Sequence, residues 1–194
     1  MTLRTEKALI RREVRENRRG RSVEDRDSGN RGVATHLTHL IESTGAQRVL
    51  IYLSTDDEPQ TRDVIRDMSA TGVTFFAPVC LPDGVMQWAV VDGHSAERLS
   101  AAGTPEPDAA PENLLPTVDA DVIVCPAAAI DRSGTRLGWG RGYYDRLLAT
   151  LSPGSPVFAL VFDEDIYEHV PREAHDIPVT GVVTPTGWRR FSSV

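Results

Sequence analysis

A chain of 194 residues with 40% hydrophobic and 25% charged side chains can bury one well-packed domain and is short for two. No apolar run approaches the ~20 residues of a membrane span, and the basic N-terminus leads into no signal-peptide core, so the expected location is the cytoplasm. Residues 1–21 hold eight basic and three acidic side chains, a net of +5, which leaves −12 of the overall −7 on the remaining 173; such an acidic body repels nucleic acid and must draw any anionic ligand locally.

Residues 3–19 read as a helix with Leu3, Ile10 and Val14 on a narrow apolar stripe. Arg4, Lys7, Arg11, Arg15 and Arg18 line another face, and for most of them the expectation is a solvated position. Ser22-x-x-Asp25 opens a second helix that runs to about Thr44 and stops at Gly45. His36 and His39 fall on it without a third ligand or a nearby acid, so they read as surface or packing residues. Residues 49–53 are a buried strand that empties into the acidic loop 54–59, after which Thr61 is expected to cap a helix ending near Gly72. Strands follow at 73–77 and, after the turn at Pro82, Asp83 and Gly84, at 85–91. A proline-rich loop covers 103–117, and residues 121–126 are another short, β-branched strand ended by proline. Tyr144, Leu147, Leu148 and Leu151 make one face of a further helix, and a strand at 157–162 leads into a helical turn at 163–169. The last strand is expected at 181–184, with a loosely packed tail from 187 to 194. Cys80 and Cys125 are too few for a disulfide scaffold or a zinc site and are expected reduced and packed.

Between the strand at 121–126 and the helix at Tyr144 lie Gly134, Gly138, Gly140 and Gly142, with Arg132, Arg136, Arg141 and Trp139 among them. Glycines let backbone N–H groups approach a ligand, and a helix start favours negative charge, so the stretch suits a polyanion. No Gly-Lys-Ser/Thr stands at the helix start, which excludes a Walker A loop. The GxGxG of Gly138, Gly140 and Gly142 does not fit the dinucleotide fingerprint either. On pattern alone, a glycine-rich connection with exposed arginines is the alternative.

The run Arg136-Leu137-Gly138-x-Gly140-x-Gly142-Tyr143-Tyr144-Asp145, preceded by Asp131-x-x-Gly134, closely resembles the signature of the 5-formyltetrahydrofolate cyclo-ligase family. The resemblance extends in order from Lys7 to about Thr184. It departs at Ala127, Ala128, Ala129 and Ile130, where the family usually has glycine and an aromatic residue, and at Thr180-Gly181, where an Asp is common. It implies a single α/β domain over 1–194, a mostly parallel sheet with helices on both faces, similar to the sugar-phosphate isomerase and CoA transferase architecture. The basic N-terminal helix (1–21) would contribute to an ATP site.

The implied reaction converts 5-formyltetrahydrofolate to 5,10-methenyltetrahydrofolate with ATP and magnesium, releasing ADP and phosphate through a phosphorylated formyl group. The resemblance assigns ATP contacts to Lys7, Arg11, Arg136, Leu137, Gly138, Trp139, Gly140, Arg141, Gly142, Tyr143 and Tyr144, with Arg136 and Arg141 catalytic. It assigns folate contacts to Leu53, Glu58, Trp139, Gly140, Arg141, Gly142 and Tyr143, and magnesium to Asp145 and to Asp176 of the His-Asp-x-Pro-Val segment. Gly103-Thr104-Pro105-Glu106-Pro107 resembles a family segment to which no chemistry is attached. The residue types suit these roles. A carboxylate such as Glu58 can accept two parallel hydrogen bonds from an amino-pyrimidinone edge, and arginine forks match phosphate oxygens. Two other classes compete: a non-catalytic nucleotide- or folate-binding protein, and an isomerase or CoA transferase on the same architecture, which would leave Lys7 and Arg11 unexplained.

Overall fold

The structure, a computed structural model, describes residues 2–81, 85–101, 103–110, 120–152, 155–174 and 176–191. The expected turn at 82–84, residues 111–117 of the proline-rich loop, His175 and the last three residues of the tail lie outside the described residues. In chain order the elements are α1 (Leu3–Gly20), α2 (Val23–Thr44), β1 (Arg48–Leu50), α3 (Arg62–Ser69), β2 (Thr74–Cys80), β3 (Met86–Val91), β4 (Glu97–Leu99) and β5 (Pro105–Pro107). There follow β6 (Val122–Pro126), β7 (Ala129–Asp131), β8 (Arg136–Leu137), α4 (Tyr143–Leu148), β9 (Val157–Leu160), a 3-10 turn (Asp163–Asp165), β10 (Ile166–Tyr167), β11 (Gly181–Thr184) and β12 (Gly187–Arg190).

Seven strands form one sheet in the order β12-β11-β9-β6-β1-β2-β3. The five inner strands are mutually parallel, and β3 and β12 close the two edges antiparallel. Side chains alternate across it, as the pleat requires: Val122 and Val124 pack toward α2 and α3, Ile123 and Cys125 toward α4. Both faces of the inner strands are therefore covered, which is why those strands read as continuous apolar runs. A second, three-stranded sheet (β10-β7-β8) carries α1, whose Val14 and Ile10 pack with Ala128, Ala129, Leu137 and Val170. Ser22 caps α2 by accepting the Asp25 N–H at 3.1 Å, and Gly45 ends it in the left-handed conformation. Among the described residues no helix is long and apolar enough to cross a membrane.

Several boundaries differ from the sequence reading. The strand expected at 49–53 is short: Ile51 still donates to the Phe76 carbonyl at 2.9 Å, and beyond it the Tyr52 carbonyl accepts from the Thr61 hydroxyl at 2.8 Å. That bond also takes Thr61 away from capping α3, which begins with no side-chain cap. The expected helical turn at 163–169 is a 3-10 turn of three residues followed by β10, which pairs with β7. The tail is not loose: β12 pairs with β11, and Trp188 packs edge-on against Phe158 and His39 at 6.1 Å each. This strand covers an edge that β11 would otherwise expose, and it makes His39 a packing residue.

Asp131 ends β7 and is 3% exposed. One carboxylate oxygen accepts from the Ser133 N–H (2.9 Å), the Ser133 hydroxyl (2.6 Å) and the Thr135 N–H (3.1 Å), the other from the Val170 N–H (3.0 Å). Burial pushes its pKa up, but these hydrogen bonds outweigh burial and hold it below the ordinary carboxylate value. Its stabilising effect is thus present above the unfolded value, about 3.9, and is lost as pH falls through the lower folded value. Asp131→Asn is expected to cost about 2 kcal/mol at pH 7, with the gap to wild type closing below about pH 4 in urea unfolding. A gap that stays constant with pH would contradict this.

Candidate active site

The carboxyl ends of β1 and β6, the stretch from Arg136 to Asp145 and the inner face of α1 enclose a cavity of about 290 Å³. Open parallel sheets bind ligands at this edge. Eleven of the expected residues line it: Leu53, Glu58, Arg136, Gly138, Trp139, Gly140, Arg141, Gly142, Tyr143, Tyr144 and Asp145. Leu137 does not, since it is buried in β8 against Val14.

Glu58 is buried and already oriented. One oxygen accepts from the Trp139 indole N–H at 3.0 Å, the other from the Thr55 N–H and hydroxyl, also at 3.0 Å. Trp139 in turn lies beneath the guanidinium of Arg15 at 5.1 Å and of Arg18 at 5.3 Å. Tyr52, Leu53 and the Trp139 ring line the cavity around this fixed carboxylate, with the charged Arg15, Arg19 and Asp57 also on its wall. Tyr143 adds a second ring, anchored by its hydroxyl to the Leu81 carbonyl at 3.0 Å.

Arg136 and Arg141 lie on the cavity wall as well. Arg136 has a side chain only 3% exposed; it donates to the Pro126 carbonyl at 2.9 Å and to the Asp145 carboxylate. A Cβ at position 138 would sit 2.7 Å from an Arg136 terminal nitrogen, so a side chain there would have to displace the guanidinium. Gly142 starts α4 at φ 74, a conformation that a side chain would strain. The helix expected to reach Leu151 ends at Leu148 and has six residues. So short a helix supplies little dipole, so the positive charge on this wall comes from the arginines rather than from the helix start.

Lys7, Arg11 and Asp176 stand just outside the cavity wall. Arg11 donates to the Gly138 carbonyl at 2.7 Å and so ties α1 to the glycine stretch. Lys7 is not a solvated helix position: its ammonium meets Glu173 and Asp176 at 2.7 Å each, and its side chain is 11% exposed. Burial works to lower its pKa, but the hydrogen bonds to those carboxylates raise it overall. Each expected magnesium ligand is thus paired with an expected phosphate ligand, Asp176 with Lys7 and Asp145 with Arg136. Among the described residues no three His, Cys, Asp or Glu side chains gather at one point. Arg141 sits exposed at the cavity rim.

Sequence reasoning missed several lining residues. Arg15 and Arg19 continue the four-residue stripe of Lys7 and Arg11, so spacing could have found them. Tyr52 precedes Leu53 at the strand end; its hydroxyl and that of Tyr144 are buried with no hydrogen-bond partner among the described residues. Burial raises the pKa of both phenols well above the usual range, so they remain protonated donors. Thr104 and Pro105 also line the cavity, from a loop that carried no readable signal. Both cysteines are free thiols, and burial pushes Cys125 up to about 11.

Comparison with known proteins gives the family of the chain. The family model described as 5-formyltetrahydrofolate cyclo-ligase family matches residues 4–185. The 5-formyltetrahydrofolate cyclo-ligase of Mycolicibacterium smegmatis is 31% identical over 92% of this chain and 93% of its own length. That of Escherichia coli is 29% identical over 89% and 97%. The solution structure of Aquifex aeolicus 5,10-methenyltetrahydrofolate synthetase superposes with a TM-score of 0.80 at 28% identity, covering 97% of this chain and 94% of that one. With the signature residues gathered around one cavity and the match running nearly end to end, this chain belongs to the 5-formyltetrahydrofolate cyclo-ligase family.

Proposed function

We propose that the protein converts 5-formyltetrahydrofolate to 5,10-methenyltetrahydrofolate, consuming ATP with magnesium and releasing ADP and phosphate, and that α1 completes the ATP end of this one catalytic unit. The observation that carries the reading is one cavity lined both by an oriented carboxylate with aromatic rings, read as its first end, and by a buried arginine fork, read as its second. The first end suits a pterin. Glu58 presents fixed acceptors to an amino-pyrimidinone edge, with Leu53, Trp139 and Tyr143 as flat and apolar walls. The second suits phosphates. The Arg136 Nε is a buried donor without a partner among the described residues, which a phosphate oxygen would satisfy.

A formyl oxygen is a poor leaving group, so the proposed sequence transfers the γ-phosphoryl group to it. N10 then attacks the activated carbon, and phosphate departs as the ring closes. Such transfer asks a protein mainly for positioning and charge stabilisation. Arg136, fixed by Pro126 and by its stacking 5.9 Å from the Tyr144 ring centroid, and Arg141 at the rim would hold the transferring oxygens. Lys7 and Arg11 would meet the remaining phosphates from α1. The donor set also fits magnesium: Asp145 offers a carboxylate 44% exposed on the cavity wall, and Asp176 a second close to α1. The ion would neutralise phosphate charge there, a role met by one or two carboxylates with phosphates and water.

The test is absorbance of purified protein with 5-formyltetrahydrofolate. The methenyl chromophore is expected to grow only when ATP and magnesium are both present. Growth without ATP would exclude phosphoryl activation. Folate binding with no conversion under any condition would favour a non-catalytic binding protein instead.

A further inference from the structure

The segment Gly103-Thr104-Pro105-Glu106-Pro107 carries no group that the proposed reaction uses. In the structure its Pro105–Pro107 strand, β5, pairs antiparallel with β4 to make a hairpin at the edge of the cavity, where Thr104 and Pro105 form part of the wall. Its root is fixed by Glu106, 4% exposed, which accepts from the Cys80 N–H at 2.9 Å and from Arg98 at 3.0 Å. The other strand, β4, is exposed along its length and is held differently.

Arg62, the first residue of α3, grips the Glu97 carboxylate of β4 with two parallel hydrogen bonds of 2.8 and 2.7 Å. The same guanidinium donates to the Ser54 carbonyl at 2.8 Å and to the Gln60 side-chain oxygen at 3.1 Å. Ser54 and Gln60 frame the loop that carries Glu58: the Gln60 amide donates to the Thr55 and Glu58 carbonyls at 2.8 and 3.0 Å. One planar fork thus joins two walls of the cavity, the Glu58 loop and the Thr104–Pro105 hairpin. Arg62 itself lies outside that cavity. A second, small cavity of about 100 Å³ lies against the bridge, lined by Leu53, Val91, Gly93, Arg62 and Glu97 among others.

We propose that Arg62 is a positioning residue for the folate. Through Ser54 and Gln60 on one side and Glu97 on the other, it sets the gap between Glu58 and the hairpin, and so the fit of the pterin, without touching it. The inference rests on the assignment of folate to the Glu58 end of the cavity. A lysine could not replace the fork, because a single ammonium does not present the planar set of donors that reaches both walls.

Equilibrium binding by calorimetry tests this, with 5-formyltetrahydrofolate and magnesium-ATP titrated separately into the 194-residue protein. Arg62→Met and Glu97→Gln are each expected to weaken folate binding, by about tenfold and about threefold, and to move ATP binding by less than about twofold. Because the two residues act through one bridge, the double variant should be no weaker than Arg62→Met alone. Arg62→Lys should fall between wild type and Arg62→Met. Glu97→Gln preserves shape at a partly exposed site, so it keeps the test alive if Arg62→Met does not fold. Unchanged folate binding in the variants would overturn the proposal, as would equal losses of folate and ATP affinity accompanied by a lowered melting temperature. Binding also separates this inference from the reaction: a wild-type protein that binds folate but makes no chromophore refutes the reaction and still reports on Arg62. A wild-type protein that binds no folate overturns both.

Discussion

Arg136→Ala is expected to lower turnover by about two to three orders of magnitude, the usual size of losing one fixed donor to transition-state charge. The stability cost should be smaller, about 2 kcal/mol, because the Pro126 carbonyl loses a buried partner while Asp145, 44% exposed, is resolvated by water. The two readouts separate cleanly. If Arg136 only braces the Pro126 turn, the variant assayed well below its melting temperature should turn over at the wild-type rate. If it holds transferring phosphate, turnover falls at every temperature, and Arg136→Lys restores only part of it, since an ammonium reaches Pro126 or the ligand but does not reproduce the planar fork. Magnesium dependence adds a second check. With Arg136 gone, Asp145 is released from its ion pair, so the magnesium concentration for half-maximal residual activity should fall or stay constant rather than rise.

The signature from Arg136 to Asp145 was legible in the sequence because its residue types are set by local chemistry. Gly138 leaves room for a guanidinium, and Gly142 adopts a conformation that favours glycine. Nothing tertiary is needed to notice them. The inner strands were legible for a similar reason, since burial on both faces makes them uniformly apolar. What could not be read depends on partners far along the chain. Thr61 looks like a helix cap until the Tyr52 carbonyl, nine residues earlier, takes its hydroxyl. Residues 187–190 look like a loose tail until β11 pairs with them. Lys7, read through the family resemblance as an ATP contact, meets two carboxylates more than 160 residues away, which helix spacing alone does not reveal. The hairpin was legible only as a family-like segment: Thr104 and Pro105 carry no chemical signal, so its place on the cavity wall could not be read.

Arg18 is the largest departure from the sequence reading, and it makes the last prediction. It stands on the basic face of α1 but is 1% exposed, as is its partner Asp165. Its Nε and one terminal nitrogen donate to a single Asp165 oxygen at 3.1 and 2.8 Å, and that nitrogen also reaches the Ala127 carbonyl at 2.9 Å. The departure from the family at Ala127–Ile130 therefore falls against this buried guanidinium. Asp165→Ala is expected to cost about 3–5 kcal/mol, because it leaves a charge in the core that cannot be neutralised. Arg18→Met should cost less as pH falls. Burial already raises the Asp165 pKa, with Arg18 opposing that rise, so without Arg18 the carboxyl takes up a proton more readily in the folded protein. A folded state that binds more protons than the unfolded one gains stability toward acid, so the Arg18→Met deficit should shrink from pH 8 to pH 5, while the Asp165→Ala deficit should not. The double variant Arg18→Met/Asp165→Leu, with neither charge left, should recover most of the lost stability. Urea unfolding at several pH values reads all three variants. A cost below about 1 kcal/mol for Asp165→Ala, or parallel pH profiles for the two single variants, would show that the pair is solvated rather than buried.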